Sequence, residues 1–61
     1  HKQLYRALSS LPDKQAKRII AHYVLGISQA DIARAEGVSR NVVSVSIRRG
    51  LRKLAELLKN I

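Results

Sequence analysis

Residues 28–50 read SQADIARAEGVSRNVVSVSIRRG. Two serines, Ser28 and Ser39, each stand just ahead of a helical run, and Gly37 lies between them. A serine at a helix N-cap accepts a bond from one of the first free backbone amides, so each serine marks a start. Gly37 marks a stop, because the left-handed residue that closes a helix is free of strain only as glycine. The spacing predicts a short helix over 29–36, a Gly37-Val38-Ser39 turn, and a long helix over about 40–59. Asp31, three residues after Ser28, reads as a short-armed capping box. A three-residue turn with a glycine sets two helices at a steep angle. Ala33 is small enough for close approach, and Val38 and Val43 are expected to plug the space between the helices. Ile32, Ala33, Gly37, Val38 and Val43 together form the skeleton of a helix-turn-helix.

Two more helices are expected upstream. A first helix is expected over about 2–9, with Leu4, Leu8 and Leu11 recurring at helical spacing, and SSLPD then breaks it. Pro12 suits the first turn of a second helix over 12–25, where no amide hydrogen is needed. In that helix Ala16, Ile19, Ile20, Tyr23 and Val24 make one apolar stripe, with Lys14, Lys17, Arg18 and His22 turned away, and Gly26 ends it. Tyr5 and Tyr23 read as aromatics at the edge of the core. Downstream, Val43, Ile47, Leu51, Leu54 and Leu58 keep to one face. Gly50 inside that helix costs about 1 kcal/mol relative to Ala, which implies a close helix contact or a slight bend. Leu51, Leu54, Leu57, Leu58 and Ile61 either pack on the first helix or form a seam with another molecule. The expectation is an all-α, four-helix domain with a helix-turn-helix and no wing, occupying 1–61 as one unit.

Twelve Lys and Arg oppose four Asp and Glu, a net charge of +8 in 61 residues. So basic a small domain calls for a polyanionic partner, with duplex nucleic acid first and an anionic membrane surface second. The charge is uneven. Residues 38–61 carry Arg40, Arg48, Arg49, Arg52, Lys53 and Lys59 against Glu56, whereas 26–37 carry only Arg34 against Asp31 and Glu36. Other classes recede. A domain this small buries only ~60% of its unfolded surface, which leaves little room for an enclosed active site. The four acids are scattered, with no nucleophile and base to join them, so no enzyme and no cofactor are expected. His1 and His22 lack metal-ligand spacing, and there is no cysteine for a disulfide or a thiolate metal site. The absence of cysteine fits a cytoplasmic protein. No apolar run approaches the ~20 residues of a membrane span, and HKQLYRALSS has no signal-peptide character. The chain begins with His rather than Met and is expected to be a piece of a longer protein.

The outward side of the last helix carries the chemistry. Arg40, Asn41, Ser44, Val45 and Arg48 lie on or near one side, away from Val43 and Ile47. Arg bonds guanine bidentately, Asn bonds adenine, Ser serves either, and an aliphatic meets the thymine methyl. A plain solvated face would more usually mix Glu with Lys, yet no acid appears on this helix before Glu56.

Residues 7–58, ALSSLPDKQAKRIIAHYVLGISQADIARAEGVSRNVVSVSIRRGLRKLAELL, resemble region 4 of bacterial sigma-70 family sigma factors, especially the extracytoplasmic-function type. The shared elements, in order, are AL..LP, Y..G.S..DIA, GVS...V and RRGLRKL. The resemblance implies a domain that reads the promoter −35 element with its last helix. It also implies docking on the β flap of core RNA polymerase, with an anti-sigma factor as a further candidate partner and a monomer in isolation. By position, Arg40, Asn41, Ser44 and Val45 take the base-facing places, and Arg48 falls a turn further on. Ser28, Gln29 and Ser39 stand at helix starts, where amides and dipole favour phosphate. Lys17, Arg18 and Arg49 complete the expected phosphate set. Glu36 stands where the family usually has Leu, and is expected to reach solvent or pair with a nearby Arg. Asn41 stands where primary sigma factors have an acid, so their −35 sequence does not carry over. Two other functions remain open: a dimeric operator-binding regulator, with residues 51–61 as its seam, and a protein-interaction module for an acidic partner.

Overall fold

The computed structural model describes residues 2–59. They form α1 (Lys2–Ser9), α2 (Asp13–Ile19) continuing directly into a π-helical turn (Ile20–Val24), α3 (Gln29–Glu36) and α4 (Arg40–Lys59), with no strand among the described residues. The molecule is elongated, 35 Å against 19 and 15 Å. Its length is set by α4, whose 20 residues extend about 30 Å at the usual helical rise.

The other helices pack along α4. Val43, Ile47, Gly50 and Leu54 are its buried residues, spaced as a seam of i, i+4, i+7 and i+11. Val43 is fully buried, and Leu11, Ile19, Ile32, Ala33 and Ile47 close around it. Burying an aliphatic side chain of this size contributes about 1.5–3 kcal/mol. Gly50 marks where α2 crosses α4. A β-carbon there would lie 2.6 Å from Ile19 Cδ1 and 3.4 Å from Gln15 Cβ. The interior glycine therefore reflects a close helix contact.

The two serine caps form as expected. Ser28 Oγ accepts the Asp31 amide at 3.1 Å, and Ser39 Oγ accepts the Val42 amide at 3.3 Å. Gly37 has φ +71°. The Val38 amide donates to the Ala33 carbonyl at 3.0 Å and the Gly37 amide to that of Arg34 at 3.3 Å. This bond pair satisfies the last carbonyls of α3 and turns the chain sharply into α4.

Several expectations are corrected. Pro12 is the N-cap of α2 rather than its first helical residue. Past Ile19 the helix widens, with the Leu25 amide bonding the Ile20 carbonyl at 3.1 Å. The extra residue in that turn rotates the later side chains about the helix axis. Of the expected stripe only Ile19 is buried and Ala16 half-buried, while Ile20 is 36%, Tyr23 58% and Val24 73% exposed. Arg18, expected outside, is buried. Tyr5 is exposed rather than at the core edge. Val38 is 36% exposed, so Val43, fully buried, is the main plug of the helix-turn-helix. Asp31 completes no capping box, because its carboxylate accepts from Arg34 Nη1 at 2.9 Å. Leu54 is buried and Leu57 half-buried, and a groove between α1 and α4 is lined by Gln3, Arg6, Ala7, Ser10 and Leu57. α1 thus covers part of this end of α4, whereas Leu51 and Leu58, expected on the packed face, stay exposed. His1 and Ile61 lie outside the described residues.

Candidate nucleic-acid interface

The site is built on the first three turns of α4. At 100° per residue, Asn41, Val45 and Arg48 stand opposite the Val43–Ile47 seam, and Arg40 and Ser44 lie on the flank toward α3. Arg40, Asn41 and Arg48 are exposed, whereas Ser44 and Val45 are half-buried. The structure divides these residues between two open clefts. Asn41 and Val45 share a groove with Gln15, Arg18, Val42, Ser46 and Arg49. Arg40 lines a second cleft with His22, Ser28, Gln29 and Ala30, at the start of α3. Arg40 thus lies beside residues expected to hold phosphate, and Arg49 beside residues expected to read bases.

Val42 is a site residue that the sequence reading missed. It is exposed beside Asn41. The signal lay in the pair Val42-Val43: Val42 falls about 100° from Val43, on the side away from Ile47 and off the seam.

His22 secures the loop into α3. Its Nδ1 lies 2.8 Å from the Ile27 carbonyl oxygen, which can only accept, so Nδ1 carries the proton and donates. The ring meets Tyr23 edge-on at 4.8 Å between centroids.

The electrostatics favour an anion along α4. Three ion pairs hold the acids of the preceding helices: Lys17–Asp13 at 3.1 Å, Arg34–Asp31 at 2.9 Å, and Arg18–Glu36. None involves α4, where Arg40, Arg48, Arg49, Arg52, Lys53 and Lys59 are all exposed. Clustered cations of one sign attract the phosphate backbone and release its counterions on binding.

Arg18 leaves the expected phosphate set. Its residue is 8% exposed, and its Nε donates to both carboxylate oxygens of Glu36 at 3.2 and 3.0 Å while Nη2 donates to Oε1. Glu36 has found the arginine that its position required. Arg18's hydrogen bonds hold the Glu36 carboxyl below the usual carboxylate range against the opposing effect of burial, and the charges of Arg18 and Lys14 add to the lowering. The same hydrogen bond raises Arg18's own pKa despite burial. Lys17 remains exposed but is tied to Asp13.

Among the described residues, no group of three His, Cys, Asp or Glu could hold a metal ion, and no helix is long and apolar enough to cross a membrane. No curated protein matches the chain, and no solved structure does. The family model for sigma-70, region 4, matches residues 1–54. A four-helix frame, a capped helix-turn-helix and a cation-lined fourth helix agree with that match, and the chain belongs to the sigma-70 region 4 family of DNA-binding domains that act in transcription initiation.

Proposed function

We propose that this domain recognises a promoter −35 element in the major groove, with α4 as the reading helix. The observation that carries this reading is the exposed start of α4, where base-addressing side chains meet a field that no acid on that segment opposes. A helix of about 10–12 Å diameter fits a major groove ~12 Å wide. Arg40 and Arg48 suit guanine and Asn41 suits adenine. Ser44 takes either role, and the aliphatics Val42 and Val45 suit thymine methyls. Ser28, Gln29 and Ser39 present the amide ends of α3 and α4 to phosphates, with Arg49 and Lys17 as flanking charges. Core RNA polymerase is the protein partner, through its β flap, and an anti-sigma factor would compete for the same domain. The domain works in the cytoplasm as a monomer, a reading supported by Leu54 and Leu57, two of the leucines that a dimer seam would use, being buried and half-buried within the fold.

Salt dependence tests this directly. With about four to six phosphate contacts, log affinity should fall against log salt with a slope near −4 to −5. A dimeric regulator would instead prefer a palindrome with half-sites one helical turn apart. A flat salt dependence would favour the protein-interaction module.

A further inference from the structure

Arg18 occupies an unusual position for a cation in a DNA-binding domain. It borders two grooves at once. On one side it lines the groove of Asn41, Val42, Val45 and Arg49. On the other it lines the apolar groove of Ala21, Ile32 and Glu36 between α2 and α3. Glu36 borders only the second. The guanidinium presents its Nε and Nη2 edge to Glu36, so the carboxylate draws it to the α3 side. We propose that Glu36 is a specificity-determining residue: it withholds Arg18 from the DNA backbone and so limits sequence-independent affinity. This proposal rests on α4 as the reading helix.

The physical argument concerns what Arg18 would do without its partner. A buried cation left unpaired is costly, and a long arginine stem lets the head move to water while the stem stays in place. The open groove beside Asn41 and Arg49 is the exit that Arg18 already borders. There the guanidinium would join the exposed cations of α4, and each added phosphate contact tightens binding to every sequence alike. Glu36 competes with phosphate for the same planar fork. It does so from within the fold, through partly buried charge-assisted bonds. A phosphate has to arrive from solution.

The test is a salt titration with a duplex of about two helical turns and arbitrary sequence, on the parent chain, Glu36→Gln, Arg18→Gln and the double variant. A urea midpoint for each confirms that it folds. Glu36→Gln should bind this duplex more tightly, with a slope steeper by about 0.9, the value of one added phosphate contact. Its preference for the parent's best selected duplex over the arbitrary one should fall by the same factor. The double variant should return to the parent slope, because the effect requires Arg18. Arg18→Gln alone should leave the slope unchanged. An unchanged slope in Glu36→Gln overturns the proposal. Equal steepening in the double variant also overturns it, since the loss of any negative charge would then suffice. If Glu36→Gln does not fold, Arg18→Gln decides: a shallower slope would mean that Arg18 already touches phosphate. A flat slope in the parent itself would remove the DNA-reading role, and this proposal with it.

Discussion

Two glycines close two helices of this domain in the same backbone state, Gly26 at φ +72° and Gly37 at φ +71°. The segments before them differ. Before Gly37 the helix is regular, Ile32 and Ala33 face the core, and Glu36 is clasped by Arg18. Before Gly26 the helix has widened into a π turn, and Tyr23, Val24 and Leu25 face solvent. A side-chain tie at that end is the local bond from His22 to the Ile27 carbonyl. A glycine fixes where a helix stops. Tertiary anchoring decides which face the helix shows on the way there. The end that leads into α4 has such an anchor, whereas the end that leads only into a loop relies on local bonds.

The largest expected effect comes from placing valine at each glycine. A β-branched residue at positive φ is a true outlier, and each change should cost roughly 1–3 kcal/mol by urea unfolding. Neither site has atoms within 4 Å of an added β-carbon, so the cost is backbone strain in both cases. The consequences should diverge. Gly37→Val strains the joint between α3 and α4 and should weaken DNA binding even at temperatures where the chain stays folded. Gly26→Val should lose stability but keep affinity. Equal losses of affinity would show that the two ends are coupled and would break the comparison.

A smaller effect is expected in acid. Arg18 lowers the folded-state pKa of Glu36, so this pair's contribution is fully present above the ordinary glutamate pKa of about 4.3. It is lost as pH falls through the lower folded value. The parent's urea midpoint should therefore drop more steeply below about pH 4 than that of Glu36→Gln, with the two running parallel near neutrality. Coincident acid limbs would mean that the Gly37 end is held by Ile32 and Ala33 alone.

The sequence showed most of the frame because its signals are local. Ser28, Ser39, Gly26 and Gly37 act within one turn of themselves, and the bounds of α1, α3 and α4 agree with such local signals. The stripe at Ile20, Tyr23 and Val24 misled because a π turn leaves no periodic mark in the residues: it is one extra residue in a bond ring. Arg18 misled for another reason. Its partner is 18 positions away, and residue type alone places a cation outside. The exposed polar face at the start of α4 was legible from side-chain chemistry. The pairing of Arg40 with the α3 start, and of Arg49 with Asn41 and Val45, depends on how three helices meet and was not.

The claim that α4 reads bases is tested most directly by selection from randomised duplexes, with the parent chain beside Arg40→Ala and Arg49→Ala. Arg40 stands in the first turn of α4, where a recognition helix enters the groove. Its loss should change the preferred base at one position, with a discrimination loss of roughly 1–3 kcal/mol. Arg49→Ala should weaken all sequences alike or leave binding unchanged. If Arg40→Ala keeps the parent's preference at every position, this end of α4 does not read bases, and Arg40, Asn41 and Ser44 lose that role even where DNA binding survives.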